Sequence, residues 1–178
     1  MRAKISRGWM YGLGAAAMAA AVGAAVVLRR PAVETAREGF PAPSFSFVDL
    51  SGRPATLSEY KGRVVLLDFW ATWCEACQDE LPALKRIDAQ YRGRGFELLA
   101  ASVDEDGRKA LLPYVAQNAI PWRVVLANAD GVEKYSVFGL PTKFLIDREG
   151  VIARSYVGEV EPQAVEEDIK TLLKGRNS

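Results

Sequence analysis

The run Val64-Val65-Leu66-Leu67-Asp68-Phe69-Trp70 constrains the fold more than any other part of the 178-residue chain. It carries a single charge and lacks the alternation of a strand with one wet face, so it reads as a strand covered on both sides. A strand of that kind needs a layered architecture, and the flanking sequence supplies the layers. Cys74 to about Tyr91 has helical spacing, with Cys77, Leu81, Leu84 and Ile87 along one side, and Pro82 predicts a kink in it. Phe96 to Val103 reads as a second buried strand, residues 108–118 as a helix, and Trp122 to Leu126 as a third strand after Pro121. Strands alternating with helices predict right-handed crossovers and parallel pairing, an α/β fold. Phe45, Phe47 and Leu50 before a turn at Ser51-Gly52 predict an edge hairpin that leads through Leu57 to Tyr60 and Gly62. Thr142–Ile146 and Val151–Tyr156 flank Asp147-Arg148-Glu149-Gly150, a second hairpin. Pro162 opens a last helix whose Val165, Ile169, Leu172 and Leu173 share one face, with Gly175 past its end.

Two counts exclude much chemistry. The chain has no histidine and two cysteines. Without histidine it holds no Ser-His-Asp or Cys-His nucleophile system, no Cys-x-x-Cys-His haem attachment and no Cys/His zinc finger. Cys74 and Cys77 close too small a ring to restrain an unfolded chain, so as a disulfide framework they contribute little and they read as reagents. Basic charge belongs to the amino terminus: five of the 23 basic residues and none of the 22 acidic ones lie within residues 1–30. The rest is mildly acidic, which gives no footprint for a phosphate backbone and argues against nucleic-acid binding.

Gly8 to Leu28 carries no charge and is flanked by Arg2, Lys4 and Arg7 on one side and Arg29 and Arg30 on the other. Its length suits one membrane crossing, so residues 1–30 are expected to form a signal anchor with the transmembrane segment at residues 8–28. Its many alanines leave a cleaved signal peptide as the alternative. The charge difference across the segment slightly favours a cytoplasmic amino terminus with the body outside. Residues 31–43, with Pro31, Pro41 and Pro43, read as a semi-rigid tether, and residues 44–178 as the folded domain.

Trp73-Cys74-Glu75-Ala76-Cys77 follows a buried strand and opens a helix. That placement makes the sulfurs unequal. Free N–H groups and the helix dipole favour a thiolate at Cys74, while Cys77, one turn inside, stays protonated until needed. Cys74 can then attack a disulfide and Cys77 can resolve the mixed disulfide. A zinc site at this pair would need carboxylates for its remaining ligands.

Asp68-Phe69-Trp70-Ala71-Thr72-Trp73-Cys74-Glu75-Ala76-Cys77, together with Gly139-Leu140-Pro141-Thr142, resembles the thioredoxin superfamily. More narrowly, residues 41 to about 174 resemble the membrane-anchored TlpA/ResA/DsbE-like thiol-disulfide oxidoreductases. The resemblance implies a thioredoxin-like fold: a mixed central sheet flanked by helices, with an extra amino-terminal hairpin and an inserted strand and helix. It implies that Pro141 is the cis proline beside the disulfide, with Trp73, Leu140 and Thr142 contacting the client. It also implies that Asp68 is the buried aspartate that accepts the Cys77 proton. Many anchored relatives instead place asparagine there and use an acidic residue three positions after the second cysteine, which Glu80 matches. This chain keeps both, and the sequence does not rank them; a solvated helix residue is the other reading of Glu80. Ala76 departs from the usual proline, which unsettles any borrowed redox potential.

The function so implied is an extracytoplasmic reductase of client protein disulfides, in cytochrome c maturation or assembly of an oxidase copper site, re-reduced by a membrane electron donor. Its redox-active disulfide would be its only redox group, with no separate cofactor and no metal. A general thiol oxidant or isomerase differs in potential alone. A peroxidase is disfavoured because Thr72 lies two residues before Cys74 rather than three. A Cu(I)-binding or partner-binding module without turnover is the reading from another class.

Overall fold

The computed structural model describes residues 35–175. Its sheet is mixed and seven-stranded. The expected inner strand, β3 (Val64–Trp70), is buried along its whole length. It lies between β4 (Phe96–Ser102), to which it runs parallel, and β6 (Thr142–Ile146), to which it runs antiparallel. β5 (Arg123–Leu126) extends the parallel part beyond β4. The edge hairpin is β1 (Ser46–Asp49) with β2 (Pro54–Thr56), β1 docking antiparallel on β5. At the other edge β7 (Ile152–Val157) returns against β6 across a turn in which Asp147 Oδ1 accepts from the N–H groups of Glu149 and Val151.

Alternation along β3 divides the core into two layers. Val64, Leu66 and Trp70 face α1 (Glu75–Tyr91), α2 (Arg108–Gln117) and α4 (Pro162–Lys174), whose Cys77, Leu81, Leu84, Ile87, Leu111, Val165 and Ile169 complete that layer. Val65, Leu67 and Phe69 face the opposite side, where Phe45, Phe47, Tyr60, Tyr135 and Phe144 pack. The ring centroids of Tyr135 and Phe144 lie 4.9 Å apart, and those of Phe69 and Tyr135 5.4 Å, spacings suited to edge and tilted aromatic contact. α1 continues through Pro82. Proline has no N–H to give, so the regular hydrogen bond to the carbonyl four residues back is absent at that turn.

Three features depart from the sequence expectation. A short helix, α3 (Ala129–Lys134), occupies a stretch left without an element; Asn128 caps it by accepting from Gly131 N–H at 2.8 Å. Gly175 ends α4 at φ −66°, so it does not supply the left-handed turn that commonly follows a helix. The described part of the segment read as a tether is hydrogen-bonded to the body: Ala36 N–H to Lys134 O, Gly39 N–H to Ile152 O and Ala42 N–H to Gly150 O. Paired backbone of this kind makes residues 36–43 part of the fold, so the body begins before Ser44. The expected anchor falls outside the described residues. Among the described residues no helix is long and apolar enough to cross a membrane.

Candidate active site

The loop between β3 and α1 is held at both ends before any cysteine chemistry is considered. Asp104, just past β4, accepts from Thr72 N–H and from the Thr72 hydroxyl at 2.5 Å, and its other oxygen accepts from Ser102 Oγ at 2.7 Å. Val103 N–H reaches Trp70 O at 3.0 Å, and Gln78 Nε2 donates to Thr72 O at 2.7 Å. These contacts fix where the first cysteine emerges. Asp104 was not singled out from the sequence; an aspartate two residues after a buried serine at a strand end was the available sign.

Cys74 is the amino-terminal cap of α1, and its Sγ accepts from Cys77 N–H at 3.2 Å. The two cysteines form a disulfide with an S–S distance of 2.08 Å and a Cα–Cα distance of 5.2 Å. An N–H aimed at Sγ from the first helical turn is the arrangement that favours negative charge on that sulfur once the bond is reduced. Both residues are buried, but Cys74 lines a pocket of about 570 Å³ and Cys77 does not. The pocket wall is mostly apolar, from Trp73, Ala76, Val103, Val132, Val137, Phe138 and Leu140. Two aromatics stand out on this wall: Trp73 is 67% exposed and Phe138 95% exposed. Of the residues expected to contact a client, Trp73 and Leu140 line this pocket. The Thr142 side chain does not: it is buried, and its hydroxyl donates to Gly139 O at 2.7 Å, holding the loop. The Leu140–Pro141 peptide bond is cis.

A charged cluster joins β3, β6 and α1. Asp68 is on the α1-facing side of β3, and burial pushes its carboxyl up from 3.8 to about 6, against the lowering influence of Lys143 and with a further raise from Glu80. Its Oδ1 has no hydrogen-bond partner. Glu80, three residues after Cys77 on α1, accepts a hydrogen bond from Lys143 Nζ and is not a solvated helix residue. Lys143 is the cross-strand partner of Asp68, 2% exposed, with Nζ 3.8 Å from Asp68 Oδ1. Sequence reasoning missed Lys143, although a signal was there. β3 and β6 each contain one charge in an otherwise apolar or neutral run, and the two charges are of opposite sign.

The comparisons with known proteins agree with this geometry. The AhpC/TSA family matches residues 39–155. The thiol-disulfide oxidoreductase ResA of Bacillus thuringiensis subsp. konkukian is 34% identical over 135 residues, covering 75% of this chain and 78% of that protein. ResA of Bacillus subtilis is 31% identical over 146 residues, covering 82% and 81%. A crystal structure described as the thiol:disulfide interchange protein DsbE of Chlorobium tepidum superposes with a TM-score of 0.72 at 32% identity, covering 78% of this chain and 99% of that one. A thioredoxin-like sheet, a Cys-x-x-Cys pair at a helix start and relatives of this extent lead to one assignment: the chain belongs to the AhpC/TSA family, among its ResA/DsbE-like thiol-disulfide oxidoreductases.

Proposed function

We propose that this thiol-disulfide oxidoreductase acts outside the cytoplasm, held at the membrane by residues 8–28, and reduces disulfides of selected client proteins. The observation that carries the reading is the asymmetry of the pair: Cys74 caps α1 and lines the apolar pocket, whereas Cys77 is buried inside the first turn of α1, three residues before Glu80. In the dithiol form the Cys74 thiolate attacks one sulfur of a client disulfide. A bond forms between Cys74 and the client, and the other client sulfur leaves as a thiolate that takes up a proton. Cys77 then gives its proton to Asp68, attacks Cys74 Sγ, and expels the second client sulfur, which is protonated in turn. The client gains two electrons and the enzyme is left as the Cys74–Cys77 disulfide. Glu80, three residues after Cys77 on α1, is the other candidate carboxylate for this proton.

An apolar pocket edged by Trp73 and Phe138 suits an extended client segment with apolar side chains beside its cysteine. Leu140 lies on the same wall, next to Pro141. Apocytochrome c before haem attachment and the cysteines of an oxidase copper site are the proposed clients. A membrane electron donor returns the enzyme to the dithiol.

The equilibrium potential of the Cys74/Cys77 couple, titrated in the full chain against a thiol buffer, tests the direction of electron flow. A value near or below about −270 mV, the thioredoxin range, is expected. A value near about −120 mV would make the protein an oxidant and overturn the reductive reading. The sequence of the mature amino terminus tests the anchor, which fails if residues 8–28 have been removed.

A further inference from the structure

Among the described residues Lys143 is the only lysine or arginine that is buried. A buried ammonium costs several kcal/mol unless acceptors surround it, so its place under a redox pair calls for a reason. One cation here faces two carboxylates. Lys143 Nζ donates to Glu80 Oε2, whereas it stands 3.8 Å from Asp68 Oδ1, beyond hydrogen-bond reach. Lys143 is within ion-pair distance of both, but its hydrogen bond goes to Glu80 and the longer contact is to Asp68.

We infer that Lys143 is a positioning residue for the resolving step: by taking Glu80 as its hydrogen-bonded counter-ion, it leaves Asp68 as the carboxylate that receives the Cys77 proton. This rests on the reading of Cys77 as the resolving thiol and deepens it, because it ranks two carboxylates that the sequence leaves unranked. The step itself is a transfer of the Cys77 Sγ proton to an Asp68 carboxylate oxygen, after which the Cys77 thiolate forms the bond to Cys74 and the client thiolate leaves. With Glu80 already engaged, ionised Asp68 is the second negative charge beside one positive charge, which makes it the member of the cluster whose protonation relieves repulsion.

The surroundings of Asp68 leave few competing influences. From β4 its partner is Ala100, and from β7 the residue opposite Lys143 is Tyr156, whose hydroxyl donates to Asp168 at 2.7 Å. α1 contributes Glu80. α4 meets Glu80 and Lys143 with Pro162 and Val165, which carry no charge. Asp79, Glu159 and Glu161 share a crevice with Glu80 on its outer side.

The test is the pH profile of resolution in the full chain. An aromatic disulfide reagent releases one coloured thiolate on attack by Cys74 and a second when Cys77 resolves the mixed disulfide, so the second phase isolates the step. Wild type is expected to show an inflection near the Asp68 value of about 6. Lys143→Met removes the nearby cation and moves that inflection up by about one pH unit or more, with roughly tenfold slower resolution on the acidic side. Glu80→Gln removes the competing anion, frees Lys143 for Asp68, and moves it down. Lys143→Arg retains the charge and keeps the inflection within half that displacement.

Shifts of opposite sign for the methionine and glutamine variants support the inference. An inflection unmoved in Lys143→Met overturns it. If Asp68→Asn retains the wild-type inflection, the proton-acceptor reading of Asp68 is what fails. Should Lys143→Met not fold, the Lys143→Met/Glu80→Gln double variant removes both partners of the buried pair together. Its inflection must then lie above that of Glu80→Gln alone, and equality of the two overturns the inference.

Discussion

Asp49 and Asp68 are both buried carboxylates, 4% and 5% exposed, and both sit on strands of the same sheet. Asp49 is at the end of β1 near the sheet edge, where its oxygens accept from Ser51 N–H and Oγ, from Arg53 N–H and Nε, and from Arg123 Nη2. These donors, the Ser51 hydroxyl foremost, hold its carboxyl far below the ordinary carboxylate range. Asp68 is on an inner strand with no hydrogen bond to Oδ1 and one cation shared with a rival, and burial holds its carboxyl high. The difference lies in the donors and not in the depth. A buried carboxylate that the fold satisfies is a structural part, and one that the fold leaves unsatisfied is available to trade a proton.

The largest consequence is kinetic. Asp68→Asn is expected to slow the resolving step about a hundredfold near neutral pH, the usual scale for losing a positioned general base. Asp49→Ala is expected to leave that rate within twofold of wild type, because the β1–β2 turn is not part of the pocket or the charged cluster. Stopped-flow release of the second thiolate measures both. Equal slowing in the two variants would erase the distinction between the two aspartates.

Stability should respond with the opposite preference. A carboxyl that ionises at about 6 instead of 3.8 costs the folded disulfide form about 3 kcal/mol once it is charged. Asp68→Asn removes that cost, so urea unfolding at neutral pH should show a stabilisation of up to about 3 kcal/mol. Asp49→Ala strips acceptors from five hydrogen bonds and should lower the urea midpoint. A destabilised Asp68→Asn would show that Lys143 needs Asp68 as well as Glu80.

Much of this contrast is legible in the sequence, and the rest depends on strand register. The unbroken apolar run of β3, the helical spacing of Cys77, Leu81, Leu84 and Ile87 and the Cys-x-x-Cys at the junction follow from side-chain periodicity and determined the architecture. Asp68 was visible as the one charge in that run. Lys143 was not recognised, because its importance depends on β6 pairing antiparallel with β3 so that residue 143 lies opposite residue 68, a long-range fact that local pattern does not encode. α3 escaped for another reason: at six residues it is too short to show a period. Phe138 looks like any loop aromatic until the fold brings it to the wall that also holds Cys74. Residues 36–43 read as a tether because their proline and charge content is that of a linker, while their order comes from backbone pairing to β7 and α3, to which composition is blind.

The pH windows of the two aspartates separate the same pair thermodynamically. Asp68 ionises later when folded than when unfolded, so its contribution favours folding fully below about pH 4 and is lost as pH rises through about 6. Asp49 ionises earlier when folded, so its contribution is present above the unfolded value and is lost as pH falls through lower values. The stability difference between wild type and Asp68→Asn should therefore change between about pH 4 and pH 6. The difference between wild type and Asp49→Ala should change only in more acid solution. Chemical denaturation at a series of pH values resolves the two, and overlapping windows would contradict the assignment.

The smallest expected effect probes redundancy. Arg53 donates to Asp49 from a side chain that is 76% exposed, and its guanidinium is one of several donors there. Arg53→Ala keeps the Arg53 N–H, both Ser51 donors and Arg123, so the urea midpoint should fall by only a small part of the Asp49→Ala loss, as expected for an exposed ion pair. Asp68 has no such reserve: Lys143 is the one cation beside it, at 3.8 Å, and gives its hydrogen bond to Glu80. If Arg53→Ala proved as costly as Asp49→Ala, the turn would depend on that single guanidinium. Asp49 would then resemble Asp68 in hanging on one partner, and the number of donors would no longer explain why one carboxylate is structural and the other is poised to react.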